Sequence, residues 1–268
     1  MGHFYDKEGN PQHFIVGANG KQRDSTLRDA RKHNWLPSVT GIMGILDKPG
    51  LNRWFQDKLL YAALTAPRPE DISDDEFLKI IRQDAAEEAE EAKLRGNLIH
   101  NCMEDLWKNK TGEVLDYPSD VMAIASSAIA EIVEYCGTDN FTPEKTVAGD
   151  GYGGMIDLHN DDFVIDYKTK DIVEGKRMHW DEHAMQLAAY EAALEKWPDD
   201  LATRDVKVKM INGSAQIVPR RCINVFIDRT EPGKVVIHEW KPEEIQHAWE
   251  TFEACLKLWQ KIKKYIPE

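Results

Sequence analysis

Two aspartates and a lysine stand close together in the middle of the chain. Asp157 belongs to the stretch 154–159, and Asp166 and Lys168 belong to the stretch that begins at residue 163. Both stretches are largely apolar, and the Asn-Asp-Asp sequence between them predicts a hairpin turn. Side chains two positions apart on a strand share a face, so Asp166 and Lys168 are predicted to point the same way. A tight hairpin brings Asp157 alongside them.

This set of side chains fits metal-assisted hydrolysis of a phosphodiester. Carboxylate oxygens hold Mg²⁺ or Mn²⁺, and the bound metal lowers the pKa of a water molecule and stabilises charge on the phosphate. A lysine orients that water or neutralises the phosphate. An acid-x-Lys triplet alone is not specific, because the chain repeats it at Glu91, Glu174, Asp205 and Glu239. Only the triplet at Asp166 ends an apolar strand one hairpin after a Gly-x-x-Asp strand; a surface hairpin with an ion pair is the alternative.

A stripe on a helix upstream offers an imidazole to the same site. Asn97, His100, Glu104 and Trp107 follow one another at spacings of three or four residues, which places them on one helix face. His100 is therefore predicted to be a further metal ligand. A surface pair between His100 and Glu104 is the alternative.

A second helix follows the Asp166 strand directly. Its residues Gln186 and Tyr190 are four apart and share a face, so its first half is predicted to lie over the site. An amide and a phenol there can hold a phosphate or stack on a base. Ordinary amphipathic packing of this helix is the alternative.

Further residues are candidates for contact with nucleic acid. Lys170, Lys176 and Arg177 follow the Asp166 strand and can track a phosphate backbone, with solvated surface as the alternative. Four aromatic residues can stack on unpaired bases, with core packing as the alternative for most of them: Trp54, Phe55, Trp107 and Trp180. A second basic set consists of Lys207, Lys209, Arg220 and Arg221, and a third, in the C-terminal helix, of Lys257, Lys261, Lys263 and Lys264. Solvated surface is again the alternative for both.

The elements that must position these residues are helices, then a sheet, then alternating helices and strands. A hairpin is predicted within residues 1–20, with turn residues at 9–11. Helices are predicted over 25–33, 38–46, 51–64, 73–109, 119–135, 179–196 and 242–265, and strands over 145–148, 154–159, 163–167, 221–228 and 234–240. This order indicates one α/β domain over 1–268, with an N-terminal hairpin and helical part in 1–90 and a core with a C-terminal helix in 91–268.

Composition narrows the class of protein. The chain has 268 residues and a net charge of −13, which argues against non-specific coating of duplex DNA but permits a local basic groove or a bound metal. No run of about 20 apolar residues and no secretory signal is present, so we expect a cytoplasmic protein that is not secreted and has no membrane contact. The cysteines have neither zinc nor iron–sulfur spacing and are expected to be buried thiols: Cys102, Cys136, Cys222 and Cys255.

Taken together, these segments resemble the RecB-like branch of the PD-(D/E)XK nuclease superfamily. That branch has a Gly-x-x-x-His helix, a Gly-x-x-Asp strand, an Asp-x-Lys strand and a Gln-x-x-x-Tyr helix, in this order. The chain has them at Gly96 and His100, Gly154 and Asp157, Asp166 to Lys168, and Gln186 and Tyr190. The segment 36–40 is similar to the Ser-x-Thr helix start of these domains. The resemblance covers residues 36–190; the proline of the superfamily's name is replaced by Ile156.

The resemblance implies a restriction-endonuclease-like α/β core, with a mixed central sheet flanked by helices and a helical N-terminal part. It implies a metal-dependent DNA exonuclease that binds one or two Mg²⁺ or Mn²⁺ ions. Asp157, Asp166, His100 and the backbone carbonyl of Tyr167 would be the metal ligands, and Lys168 the catalytic lysine. The cysteine cluster of some relatives is missing, so no iron–sulfur cluster is expected.

The same resemblance implies that Gln186 and Tyr190 support the site or contact DNA, as Lys170 is also expected to do. Glu144 is an extra candidate acid, with an ordinary loop glutamate as the alternative. The partner would be DNA at its ends, single- or double-stranded, in recombination, repair or replication. No phosphate-binding Gly-x-x-x-x-Gly-Lys loop is present, so a helicase or single-strand-binding protein would be a separate partner. If the protein is viral, it would act in the host-cell cytoplasm.

Two rival functions stay open from the sequence. A non-catalytic nucleic-acid or protein interaction module can retain the nuclease fold, and a metal hydrolase of this kind can act on a substrate other than DNA. The histidine in the ligand set predicts that Mn²⁺ is at least as good a cofactor as Mg²⁺, because imidazole suits softer ions than Mg²⁺.

Overall fold

The computed structural model describes residues 3–69, 71–109, 111–196, 208–211, 214–217 and 219–268. The helices are α1 (Leu27–His33), α2 (Val39–Met43), α3 (Pro49–Thr65), α4 (Asp74–Lys108), α5 (Ser119–Cys136), α6 (Asp181–Lys196) and α7 (Pro242–Lys263). The strands are β1 (Phe4–Tyr5), β2 (Phe14–Val16), β3 (Gln22–Asp24), β4 (Leu36–Pro37), β5 (Thr142–Gly149), β6 (Tyr152–His159), β7 (Phe163–Lys170), β8 (Val208–Ile211), β9 (Ser214–Ile217), β10 (Arg221–Asp228) and β11 (Val235–Trp240). The predicted helices and the strands of the central sheet are confirmed, and β8 and β9 were not predicted.

A five-stranded mixed sheet carries the site. Its order is β11-β10-β7-β6-β5, with β10 parallel to β7 and the other neighbours antiparallel. Parallel strands need a long crossover connection, and α6 lies within the one that joins β7 to β10. The parallel register places Asn224 directly beside Asp166. The expected mixed sheet flanked by helices is therefore confirmed.

Each face of the sheet has its own apolar core. Val164 of β7 packs with α2, α6 and α7, whereas Ile165 and Tyr167 pack with α4 and α5 on the other face. This alternation is the period of two expected for a strand buried on both faces. All four cysteines lie in described residues as free thiols; Cys136 is half-buried and the others are buried.

The hairpin predicted within residues 1–20 is present only in part. Tyr5 pairs antiparallel with Pro11 across a turn in which the Asn10 carbonyl accepts the Asp6 N–H at 2.9 Å. The second apolar pair takes no part in it, because β1 pairs with β4 and β2 pairs with β3. Pairing with β4 buries Phe4 and Tyr5, whereas Phe14 and Val16 stay exposed. Both apolar pairs have similar strand propensity, so the partner was decided by which pair the core buries.

The helices α3 and α4 begin as the sequence predicts but bury little of their first turns. Ser73 and Glu76 form the predicted capping box at the start of α4. The whole of α3 is described, and none of its residues is buried, including the predicted apolar side. The helix α4 runs unbroken through residue 90, so the N-terminal part and the core share it. Among the helices of the described ranges, none is both long and apolar enough to cross a membrane.

Candidate metal centre

The centre forms where β6 and β7 separate. Both strands are fully described, and their ladder ends at the pair Leu158 and Ile165, so Asp157 and Asp166 are the next positions in register. Instead of a backbone carbonyl, Oδ2 of Asp157 accepts the Tyr167 N–H at 2.7 Å. The carboxylate thus replaces one ladder bond and is fixed in the fork between the strands.

A kink in β5 brings Glu144 to the same point. Glu144 has a φ of 53°, in the left-handed region that non-glycine residues rarely adopt. It faces Asp157 across the β5–β6 register, between the pairs formed by Pro143 and Lys145. Such strain costs about 1–3 kcal/mol and persists only where the surroundings impose it. The structure thus brings Glu144 to the centre, in agreement with the extra acid considered from the sequence.

The side chain of His100 reaches these acids because α4 packs closely on β7. A Cβ atom at Gly96 would overlap Oγ1 of Thr169, so only glycine permits this approach. One turn later the His100 ring meets the Tyr167 ring edge-on, with centroids 5.6 Å apart. Close helix–strand packing is therefore the physical role of the glycine in the Gly-x-x-x-His motif here.

His100, Glu144 and Asp157 form a compact set of possible ligands. Nε2 of His100 lies 3.2 Å from Oδ1 of Asp157, and Nδ1 lies 3.8 Å from Oε1 of Glu144. One ligand atom from each residue lies within 4.8 Å of the other two. The alternative pairing of His100 with Glu104 is not adopted, because Glu104 forms an ion pair with Lys108. Two carboxylates and an imidazole suit Mn²⁺ and, through the oxygens, Mg²⁺.

Asp166 is buried next to this set and is held by three side chains. Lys168 Nζ and Gln186 Nε2 donate to its Oδ1 at 2.7 and 2.8 Å, and Asn224 Nδ2 donates to its Oδ2 at 2.8 Å. Asn224 is itself fixed, because its Oδ1 accepts the Trp240 indole N–H at 2.7 Å. The carboxylate is 1% exposed, so these donors replace water.

Sequence reasoning missed Asn224 and Trp240. The signal for Asn224 is an amide in the middle of an otherwise apolar strand, since β10 reads Cys-Ile-Asn-Val-Phe-Ile after its first residue. A buried amide in a strand requires a hydrogen-bond partner. The identity of that partner depends on the parallel register with β7, which the sequence does not display.

The centre perturbs the pKa of its histidine and of its three carboxyl groups. Burial lowers the pKa of His100, but Asp157 and Glu144 overcome this effect and raise it to about 9. Burial raises the pKa of Glu144 to about 7 and that of Asp166 to about 6, although Lys168 opposes the latter. Burial also favours the protonated form of Asp157, but His100 and Lys168 keep its pKa below the usual range. The raised pKa values mean that His100, Glu144 and Asp166 bind protons more readily than usual. A cation bound among them would neutralise the same acids in place of those protons.

The residues predicted to contact nucleic acid are largely turned inward. Gln186 Nε2 also donates to the Tyr190 hydroxyl at 2.9 Å, and both side chains are buried. A Cβ at Gly154 would come within 2.5 Å of the Tyr190 ring, which explains the glycine there. Lys170 Nζ donates to the Met178 carbonyl at 2.8 Å. These placements favour support of Asp166 and of the β7–α6 loop; direct contact with DNA stays a prediction.

The other candidate segments lie nearby or are paired. Ser38 caps α2 by accepting the Gly41 N–H at 3.0 Å, and it bridges to Gly153 at the start of β6. Of the second basic set, Arg220 pairs with Glu191 and Arg221 with Glu239. Lys207 and the side chain of Lys209 lie outside the described residues.

Comparisons with known proteins add little to this geometry. No protein-family model and no curated protein sequence matches the chain. Among solved structures, the chain is similar to SSO0001, with 16% identity over 78% of this chain and 86% of that chain and a TM-score of 0.27. At this identity and TM-score we infer neither a shared fold nor a shared function.

Proposed function

We propose that the protein is a metal-dependent DNA exonuclease with a RecB-like PD-(D/E)XK core. The observation that carries this proposal is the convergence of His100, Asp157, Asp166 and Lys168 at one fork in the sheet. One helix and two strands supply these residues, α4, β6 and β7, and they follow one another in the motif order of that branch. The five-stranded mixed sheet with helices on both faces supports the same assignment.

The donor set defines a role for each residue. His100, Glu144 and Asp157 would hold an ion, with Asp166 and the Tyr167 carbonyl as further ligands. A bound Mg²⁺ or Mn²⁺ supplies an activated water and stabilises negative charge on the phosphate. Lys168, held beside Asp166, orients that water or neutralises a phosphate oxygen. Gln186 and Asn224 keep the Asp166 carboxylate aimed at the fork.

The wider context is proposed on the same basis. We place the activity at DNA ends in recombination, repair or replication, in the cytoplasm, with a helicase or a single-strand-binding protein as partner. The proposal requires no iron–sulfur cluster, because the four cysteines are scattered over both cores and the surface of α5.

A cleavage assay with one lysine variant tests the activity. Wild type, Lys168→Ala and Lys79→Ala are incubated with end-labelled single-stranded, end-labelled duplex and closed circular DNA, under Mn²⁺, Mg²⁺ or chelator. Lys79 is an exposed lysine of α4 and gives the same change of charge. Wild type and Lys79→Ala should degrade linear DNA only with metal, whereas Lys168→Ala should lose at least about 100-fold in rate, as removal of an electrostatic stabiliser usually does.

The outcomes separate the rival functions. Nicked circles would indicate an endonuclease instead of an exonuclease. Binding of DNA ends without cleavage by folded wild-type protein would favour an interaction module. Absence of both binding and cleavage would favour a metal hydrolase with another substrate. Cleavage by Lys168→Ala at the wild-type rate would remove the proposed mechanism.

The preference for Mn²⁺ or Mg²⁺ gives a second, independent test of whether His100 is a metal ligand. We expect Mn²⁺ to support at least as much activity as Mg²⁺, since His100 contributes nitrogen. Replacing His100 with Asn should shift the preference toward Mg²⁺. Much higher activity with Mg²⁺ than with Mn²⁺ in the wild type would argue against His100 as a ligand.

A further inference from the structure

A cleft of 670 Å³ borders the candidate metal centre. One wall is formed by the end of β7 and the loop that follows it, and the opposite wall by the first turns of α3 and the middle of α4. We refer to it as the tryptophan cleft, because Trp54 of α3 and Trp180 of the β7–α6 loop line it. Both were considered from the sequence as stacking residues, and the roles given above at the metal centre use neither.

The cleft is adjacent to the centre on two elements. Thr169 and Lys170 in its lining follow Lys168 on β7, and Gly96 and Asn97 precede His100 by about one helical turn. The side chains of Lys168 and His100 are 28% and 29% exposed, so both are accessible to solvent.

Trp180 is exposed, and hydrogen bonds hold the backbone around it. The residue is 47% exposed, which is unusual for the largest apolar side chain. Its backbone N–H donates to Nδ1 of His183 at 3.1 Å, and Lys170 donates to the carbonyl of Met178 two residues earlier. The guanidinium of Arg177 lies 5.3 Å from the centre of the Trp180 ring. A solvent-facing indole on a held backbone is suited to stacking on a planar ligand.

Basic residues outnumber acidic ones in the lining of the cleft, in a protein with a net charge of −13. Among the described residues that line it, five are basic and Asp171 is acidic. Three of the five form ion pairs: Lys93 with Glu90, Arg177 with Asp181 and Arg229 with Asp171. The basic residues are Lys93, Lys170, Lys176, Arg177 and Arg229. An aromatic platform inside a basic groove is the combination that binds single-stranded nucleic acid, because every base has a face to stack and every linkage has a charge.

We propose that the tryptophan cleft binds an unpaired DNA strand on its way to the metal centre, and that Trp180 stacks on one of its bases. This assignment rests on the proposed nuclease function for the identity of the polymer. Away from its ends, a duplex presents only base edges in its grooves, so only a terminal pair has a face to offer, whereas every base of a single strand has one. The cleft therefore gives the protein a preference for single-stranded or frayed ends.

Equilibrium binding without cleavage tests this proposal separately from the activity. A fluorescein-labelled single strand of about 20 nucleotides, longer than most single-strand sites, and its blunt duplex are titrated in chelator at low salt. Fluorescence anisotropy is measured for wild type, Trp180→Ala, Trp180→Phe and Phe14→Ala. Phe14 is an equally exposed aromatic residue on β2, outside the cleft. Thermal melting followed by circular dichroism checks that each variant is folded.

We expect Trp180→Ala to raise the Kd for the single strand by about 5- to 150-fold, the range found when a stacking aromatic is removed. Trp180→Phe keeps a ring and should stay within about threefold of wild type, and Phe14→Ala should not change the Kd. The affinity for the blunt duplex should be the same in all four proteins. Equal losses for duplex and single strand, or no loss in Trp180→Ala, would overturn the proposal even if the cleavage assay succeeds.

A charge variant tests the same surface without touching the tryptophan. Lys176→Ala should lower the slope of log Kd against log salt for the single strand by about 0.7, the value for one phosphate contact. Lys79→Ala, on the exposed first part of α4 and far from the cleft, should leave the slope unchanged. An unchanged slope in Lys176→Ala would show that the strand does not follow this wall.

Discussion

At the scale of single residues, the centre depends on how one buried carboxylate is satisfied. Asp166 is almost inaccessible to water, and it lies beside Asp157. The negative charge of Asp157 disfavours the ionisation of Asp166. A charge in this position is tolerated only when donors surround it. The amides of Gln186 and Asn224, together with Lys168, provide those donors from a helix and two strands.

Removing the amide of Asn224 should therefore destabilise the protein. Asn224→Ala leaves Oδ2 of Asp166 and the Trp240 indole without their partner, and we expect a loss of about 1–3 kcal/mol in the free energy of unfolding. The measurement is urea denaturation in chelator. Asn52→Ala is the matched control, because Asn52 donates to Asp47 at 2.9 Å on the surface. The control should lose less than about 0.5 kcal/mol; equal losses would contradict the role given to Asn224.

Proton release on metal binding should report on His100. Its pKa of about 9 means that His100 is protonated at pH 8, whereas Glu144, with a pKa of about 7, is mostly ionised. A ligand imidazole must be neutral, so Mn²⁺ binding at pH 8 should release about one proton, and affinity should rise with pH up to about 9.

Calorimetry in two buffers with different ionisation enthalpies measures that release. His100→Asn should bind Mn²⁺ more weakly and release almost no proton at pH 8. His247→Asn, at an exposed histidine of α7, should behave as wild type. If both variants released one proton, the proton released on Mn²⁺ binding would come from a group other than His100.

At the scale of elements, the site is made by two close approaches. The fork between β6 and β7 lets the Asp157 carboxylate replace a ladder bond, and the contact of α4 with β7 brings His100 over it. Opposite the kink in β5, the side-chain pattern of β6 is also irregular. Ile156 and Leu158 would share a face of a regular strand but lie in different cores, so the alternation inverts at Asp157.

The contact between α4 and β7 can be tested by a double-mutant cycle. Gly96→Ala alone should lower stability and activity, because the new methyl group overlaps Oγ1 of Thr169. In the Thr169→Ala background the overlap is removed, and Gly96→Ala should instead add up to about 1 kcal/mol through helix propensity. Urea denaturation of the four proteins should give a coupling energy of about 0.5–3 kcal/mol. Additive effects would show that the two elements are not in contact at Gly96.

At the scale of the whole molecule, charge opposes the proposed substrate. The net charge of −13 and the acids of the centre repel a polyanion, and the basic cleft attracts it only locally. Two apolar cores hold the sheet between helices, so the acids cannot move apart to relieve their repulsion. A bound cation is the direct way to reverse the sign of the field at the centre.

Binding of DNA should therefore depend on divalent cations even without cleavage. At constant ionic strength, Ca²⁺ in place of chelator should raise the affinity for a single strand by about tenfold or more, as expected when charges near the phosphate are neutralised. The variant with Asp157→Asn and Asp166→Asn should bind more tightly than wild type in chelator and respond little to Ca²⁺. Fluorescence anisotropy measures both; the same response in wild type and variant would show that the cation acts elsewhere.

Local patterns in the sequence were enough to predict the helices, the strands of the central sheet and the main candidate residues. The capping box at Ser73, the helical stripe with His100 and the alternating strands with Asp157 and Asp166 are local patterns. Helix caps and side-chain periodicity depend on residues within a few positions of one another, so they can be recognised before the fold is known. The order of the four motifs predicted that they meet, and the structure brings those residues together.

The strand partners and the residues that support the centre could be identified only from the tertiary structure. The pairing of β1 with β4, the amide of Asn224 on Asp166, the left-handed turn at Glu144 and the exposure of Trp180 beside the centre all involve contacts between distant segments. Strand partners and register are fixed by which faces the cores bury, a property of the whole molecule. For that reason the residues proposed to carry the chemistry can be recognised in the sequence, whereas those that hold and surround them can be recognised only in the fold.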